Sequence, residues 1–335
     1  MLILNESDLR SVLEMRDVMA AVEAGFQALA RGDVRLPERL RLAIPERKAV
    51  MLEMPAFSQS RPAAGQSATG GECALGSKIV SVFEQNPARN LDIIQSIYLL
   101  FDAETGVPVS VMDGRFITAI RTAATSAVAT KFMAPPAPER LAIFGAGVQA
   151  RFHIDAMMCV ARFERVMITS RTAEKARALC DYVRETYSTA CDVVAAEEAA
   201  SNADLICTCT TARAPLFDGG LLKAATHVNA VGAFTPTTRE LDAEAIRRAR
   251  VIIDAEMGAG KEAGEILIPL AEGIIGAGHV RGTLADVVSG RVAGRESDDE
   301  ITVFRSCGLA IEDLVTASLA FKKATARGAG VEVKF

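Results

Sequence analysis

The chain has 335 residues, 50% of them apolar and 24% charged, a length that suits about two domains and needs no disulfide or metal staple to bury a core. Lys and Arg number 37 against 42 Asp and Glu, for a net charge of −5, and no basic stripe marks a nucleic-acid partner. The start, Met1 to Asp8, has neither a basic n-region nor an apolar h-region, and no apolar run reaches the roughly 18 residues of a membrane span, so a cytoplasmic protein with no membrane partner is expected. Seven cysteines lie scattered, with only Cys207 and Cys209 close together; without metal-site spacing they read as reduced interior thiols, and no metal is expected.

In chain order, residues 16–31 form an amphipathic helix with Met19, Val22, Phe26 and Leu29 on one face, stopped by Gly32. Short runs of β-formers follow: Arg39 to Ile44, Ala49 to Met54, Ser77 to Phe83, Ile93 to Phe101 and Val107 to Met112. Turn residues such as Asn86-Pro87 and Thr105-Gly106 separate them, which predicts a meander. Residues 58–72, rich in Ser, Gly and Ala, read as a mobile loop. The pattern turns helical from Ile117 to Met133 and stops before Pro135-Pro136.

Strand and helix then alternate. Strands are expected at Leu141 to Phe144, Val166 to Thr169, Asp204 to Thr208, Val228 to Val231 and Val251 to Asp254. Helices are expected at 148–161, Ala173 to Tyr187 and 242–249. Such alternation makes a doubly wound parallel sheet. From about Ile301 the chain reads as helix to the end.

Gly145-Ala146-Gly147-Val148-Gln149-Ala150 fits the G-x-G-x-x-G/A pattern. It follows an apolar strand and opens a helix, the context that gives the pattern its meaning. Gly145 permits the tight turn, Gly147 leaves the pyrophosphate unobstructed, and Ala150 lets the helix lie against the sheet. The helix N-terminus offers N–H groups to the anion. This is a dinucleotide-binding Rossmann domain. The following strand ends Ile168-Thr169-Ser170-Arg171-Thr172, with no carboxylate for a ribose 2′-hydroxyl. Ser170, Arg171 and Thr172 suit a 2′-phosphate instead, so NADP is expected over NAD. His153, His227 and His279 have no ligand spacing and read as structural.

The chain resembles the ornithine cyclodeaminase/mu-crystallin family. The likeness is carried by Met54-Pro55-Ala56, Gly76 to Val80, Asn86-Pro87, Ile117 to Ala124, Gly145 to Ala150, Asn229 to Ala233 and Arg239 to Asp242. It continues through Glu262 to Glu265, Gly294-Arg295 and Phe304 to Asp313, in family order over nearly the whole chain. The resemblance implies a homodimer. Each subunit pairs a Rossmann domain, residues 119–312, with a smaller α+β substrate and dimerisation domain, residues 1–118 and 313–335. It also implies a substrate that is an α-imino or α-amino acid, handled with a nicotinamide cofactor.

By motif, Lys78 matches the lysine at the reacting centre, where its ammonium relays a proton. Arg121 matches the carboxylate-binding arginine, since a guanidinium fork fixes orientation as well as charge. Arg39 matches a second, with Arg41 as a competing register. Met54 and Phe234 join the substrate set, the Phe234 ring favouring an apolar or ring-shaped substrate. Thr122, Thr208, Val231 and Gly232 join Gly145 to Gln149 in the cofactor set, Thr122 being equally suited to a local helix bond.

One position departs from the family. Cyclodeaminases carry an aspartate after the Gly232-Ala233 pair, where this chain has Phe234, which neither takes nor gives a proton. The nearest polar residues are Thr235, a weak base, and Glu240, which only a folded loop would bring back. The reading is therefore reduction of a cyclic ketimine such as 1-pyrroline-2-carboxylate, or the reverse oxidation. A cyclodeaminase with another base, and a cofactor-loaded binding protein, remain as alternatives.

Overall fold

The computed structural model describes residues 1–59 and 73–334. Residues 60–72 of the expected loop lie outside these, and Ser58 closes a strand. The chain divides into two compact units, Met1–Thr122 with Leu309–Phe335, and Ala123–Gly308. Among the described residues no helix is long and apolar enough to cross a membrane. No group of His, Cys, Asp and Glu among them is arranged to hold a metal ion.

The first unit contains β1 (Leu2–Leu4), β2 (Val34–Arg35), β3 (Leu40–Ile44), β4 (Ala49–Ser58), β5 (Ala74–Phe83), β6 (Ile94–Phe101) and β7 (Pro108–Asp113). β4 to β7 form the expected antiparallel meander. β1, not foreseen from the sequence, joins β7 in parallel, and β3 pairs with β4. Alternation along these strands sends Leu52, Met54, Val80, Tyr98, Leu100 and Met112 into the interior, because side chains one residue apart face opposite sides of a sheet. The C-terminal helix, Ala310–Arg327, packs across β4, β5 and β6 and against α2 (Met15–Arg31), which follows the short α1 (Glu6–Val12). At Gly25 on α2 an added Cβ would lie 3.2 Å from side-chain atoms of Ile311 and Val315, so glycine allows the close approach.

The second unit is built on β8 (Arg140–Phe144), β9 (Arg165–Thr169), β10 (Ala190–Val193), β11 (Leu205–Thr208), β12 (His227–Ala230), β13 (Ala249–Ile253), β14 (Val280–Thr283) and β15 (Ile301–Arg305). All pair in parallel, in the order β10-β9-β8-β11-β12-β15-β13-β14. The order reverses between β8 and β11, the switch point at which doubly wound sheets bind ligands. Helices after β8 (Val148–Val160) and β9 (Ala173–Tyr187) follow the sequence expectation within a residue or two.

The segment beginning at Ile301 is a correction. Ile301–Arg305 is not helical; it is a wholly buried strand between β12 and β13, and the C-terminal helix starts only at Ala310. A short run buried on both sides has no helix or strand periodicity of its own, and the β-branched Ile301-Thr302-Val303 was the usable signal. β10 and β14 were missed for a related reason. They are four-residue strands whose exposed or glycine-containing sequences resemble loops.

Candidate active site

In the first unit, a buried four-charge cluster forms where the meander meets the C-terminal helix. Lys78 projects from the middle of β5, its side chain only 2% exposed, and its Nζ lies 2.8 Å from Asp313 Oδ2. The lysine therefore points inward rather than to the solvent face usual for a strand lysine. Register explains it: Lys78 stands opposite Met54 on β4 and Tyr98 on β6, on the face covered by the helix. Arg121 lies in the interior of α3 (Gly114–Met133), which begins three residues before Ile117 because Asp113 Oδ1 accepts the amides of Arg115 and Phe116 at 2.8 and 3.1 Å. Arg121 Nε donates to Asp313 Oδ1 at 2.9 Å, and its Nη1 donates to Glu312 Oε2 at 2.5 Å. Glu312 and Asp313 sit in the first turn of the C-terminal helix, where the helix dipole favours carboxylates.

This environment tunes the ammonium. Burial, followed by the positive charge of Arg121, drives the Lys78 pKa down from 10.5 to about 8, against the opposing pull of Asp313 and Glu312. Burial also works against the charged form of Arg121, but Asp313 and Glu312 more than offset it and hold that guanidinium protonated. The Tyr98 hydroxyl is pushed well above its usual range by burial and then by the Asp313 charge. The site thus holds a lysine that changes charge near neutral pH beside an arginine that does not.

Met54 is buried beside Lys78. Arg41, exposed on β3, stands opposite Leu52 and so shares the Lys78 face. Arg39 lies one residue before β3 and is half-buried. The alternation continued back gives it the same side, so strand register alone does not choose between the two. Thr122 is buried, and its hydroxyl bonds to the Thr118 carbonyl at 2.7 Å, the local helix bond.

In the second unit, the glycine turn leaves β8 at the switch point. Gly145 has φ +111°, and an added Cβ would lie 2.5 Å from the Cys209 carbonyl oxygen, so only glycine fits there. Gly147 has open space around its missing side chain and caps the helix that opens at Val148. A cradle of bare backbone at a helix N-terminus fits the pyrophosphate of a dinucleotide. Ala146, Val148 and Gln149 complete the turn, with Val148 strongly exposed. At the end of β9, Ser170 Oγ accepts the Thr172 amide at 3.2 Å, and Arg171 and Thr172 are exposed. Val231 and Gly232 follow β12, half-buried, and Phe234 beside them is 42% exposed.

Thr208 is fully buried, and its hydroxyl donates to Glu240 at 2.7 Å rather than facing solvent. Glu240 is the main residue the sequence reading undervalued. The loop does fold back: Glu240 Oε2 accepts the Gly232 amide at 2.7 Å, and Oε1 accepts both the amide and the hydroxyl of Thr210 at 2.7 Å. Its own amide donates to Glu265, which pairs with the buried Arg305 at 2.8 Å. The Arg239-Glu240-Leu241-Asp242 stretch had marked the position without indicating its partners.

The three histidines make internal contacts. His153 bonds Ser126 and the Gln149 carbonyl, His227 bonds Thr302, and His279 bonds the Ile246 carbonyl. Burial lowers His153 to about 4 and His227 to about 3, so both stay neutral at physiological pH.

Known proteins are similar to this chain along their whole length. A Δ1-pyrroline-2-carboxylate reductase of Bacillus cereus is 36% identical over 337 residues, covering all of both chains. The structure of Thermococcus litoralis Δ1-pyrroline-2-carboxylate reductase in complex with NADH and L-proline superposes with a TM-score of 0.93 at 36% identity, over 99% of this chain and 100% of that one. An archaeal alanine dehydrogenase dimer with bound NAD gives a TM-score of 0.90 at 31% identity, over 100% and 99% of the two chains. The sequence profile of the ornithine cyclodeaminase/mu-crystallin family matches residues 1–328, and the chain belongs to that family.

Proposed function

We propose that this protein is an NAD(P)H-dependent reductase of a cyclic α-imino acid, with 1-pyrroline-2-carboxylate as the leading substrate and L-proline as its product. The observation that carries this reading is the Lys78–Asp313 pair. It is a buried ammonium with a pKa near 8, able to hold a proton below that pH and release it to a substrate nitrogen. Reduction of C=N requires one such proton and one hydride, and hydride donation is the chemistry a bound nicotinamide cofactor supplies. Residues Gly145 to Gln149 would hold its pyrophosphate, with Val231 and Gly232 beyond the switch point.

The four charges of Lys78, Arg121, Glu312 and Asp313 cancel. An arriving carboxylate is therefore drawn by the further positive charge of Arg41, exposed on the same sheet face, while Arg121, locked by two carboxylates, sets orientation. Cyclodeamination is disfavoured: Phe234 offers no base, and both Glu240 oxygens are already accepting hydrogen bonds. NADPH is the preferred donor in this reading, supported by Ser170-Arg171-Thr172 at the end of β9. A homodimer formed by the first unit is supported by Leu40, Leu42, Met51 and Ile97, which are 38–61% exposed on the sheet face opposite Lys78. A cytoplasmic location agrees with the unpatterned cysteines.

The test is oxidation of NADPH and NADH by the purified protein with a panel of cyclic and acyclic imino acids, with product identified chromatographically. Turnover of 1-pyrroline-2-carboxylate to L-proline is expected. Absence of turnover with every imino acid overturns the reading. Light scattering of the same sample tests the dimer.

A further inference from the structure

We propose that Glu240 is a positioning residue that sets the nicotinamide half of the cofactor site by locking together the chain segments leaving β11 and β12. The inference rests on the dinucleotide-binding reading above and extends it to a residue that would touch no ligand.

Glu240 is fully buried and lies under both segments. Its two carboxylate oxygens divide four donors between them. Oε1 takes the amide and hydroxyl of Thr210, just past β11, and Oε2 takes the Gly232 amide, just past β12, and the Thr208 hydroxyl. Two of the four are backbone N–H groups, one on each oxygen, and neither can reverse direction. A neutral amide side chain presents one oxygen and one NH2 group, so it satisfies one of these amides only by opposing the other. The position therefore calls for a carboxylate.

The contact between the two segments is tight. A Cβ at Gly232 would come within 2.2 Å of the Thr210 carbonyl oxygen and 2.5 Å of Glu240 Oε1. The same segment after β11 abuts the pyrophosphate turn through Cys209 and Gly145. Behind Glu240 the network continues. Its amide donates to Glu265 Oε1 at 2.8 Å, Glu265 Oε2 pairs with Arg305 at 2.8 Å, and Arg305 donates to the carbonyls of Ala230, Ala233 and Ser306. A carboxylate, a second carboxylate and a guanidinium thus tie the carboxyl ends of β11, β12 and β15, which are adjacent in the sheet.

The position determines the consequence. In a doubly wound sheet the adenosine half lies over the first strands, here β8 and β9, and the nicotinamide half lies across the switch point, here over β11 and β12. Glu240 holds only the second group. Burying its charge is costly, and burial raises its pKa. Four donors at 2.7 Å offset that cost and in return hold two loops in one arrangement.

The experiment compares dissociation constants of NADH and of ADP-ribose, which lacks the nicotinamide, for the wild type, Glu240→Gln and Thr210→Val. In Glu240→Gln, NADH binding is expected to weaken about tenfold, with ADP-ribose binding unchanged within about twofold. Thr210→Val removes one donor and leaves the carboxylate, so a smaller loss for NADH alone is expected; this variant carries the comparison if Glu240→Gln does not fold. Parallel weakening of both ligands, or unchanged NADH binding, overturns the proposal. A wild-type protein that binds neither ligand removes the dinucleotide reading itself.

Discussion

Lys78 of the meander and Asp313 of the C-terminal helix form an ion pair at 2.8 Å in which both side chains are almost completely buried. A charged pair placed so deeply is weak evidence of stability, because desolvation consumes most of its attraction. Under the proposed function its value lies in proton chemistry.

Replacing Lys78 by alanine is expected to cut reductive turnover by about 10²–10⁴-fold, the usual contribution of a positioned acid, while NADPH binding measured by fluorescence stays within about twofold. Retention of more than about a third of wild-type turnover would place the proton source elsewhere.

The pH profile follows from the depressed lysine. With a pKa of about 8, reductive kcat/KM should be flat below that pH and fall above it as Nζ loses its proton, and the oxidative direction should rise over the same range. The stability sign also follows. Between pH 8 and 10.5 the unfolded state holds the proton that the folded state has lost, so Lys78 contributes stability that rises with pH across that window.

The partners of Lys78 should move that limb in opposite directions. Asp313 raises the lysine pKa and Arg121 lowers it. Asp313→Asn should shift the alkaline limb to lower pH, and Arg121→Met to higher pH. Arg121→Met should also lower kcat/KM by about 10- to 150-fold, the equivalent of 1.5–3 kcal/mol for a charge-assisted contact. It should lower the melting temperature as well, because two buried carboxylates would then share one cation. Limbs that move together, or not at all, would mean that another group titrates.

Cofactor choice rests on Arg171, exposed at the start of the helix after β9. NADPH should be preferred over NADH by about 10- to 150-fold in kcat/KM, and Arg171→Ala should remove most of that preference. Equal values for the wild type would refute it.

Ornithine should not be converted to proline. Phe234 supplies no base, and Glu240 is occupied by four donors. Incubation with ornithine and catalytic NAD, assayed for ammonia and proline, should yield neither. Stoichiometric formation of both at about 1 s⁻¹ would require a base elsewhere in the chain.

Local patterns in the sequence determined a good deal. The glycine turn, the alternation after Arg140 and the β-rich runs between Arg39 and Met112 each depend on neighbours within a few residues, and the corresponding elements formed where expected. Lys78 was visible as a charge in an apolar strand and as a motif match, and Arg121 as a motif match alone. Only the tertiary structure decided what those charges meet. Glu312 and Asp313 reach Arg121 from a helix 191 and 192 residues away, and Glu240 joins β11 to β12 from a loop beyond both. Ile301–Arg305 became a central strand because both its faces are buried by distant segments. Burial and ion pairing are properties of what packs against a residue, and packing brings together segments that local sequence patterns do not connect.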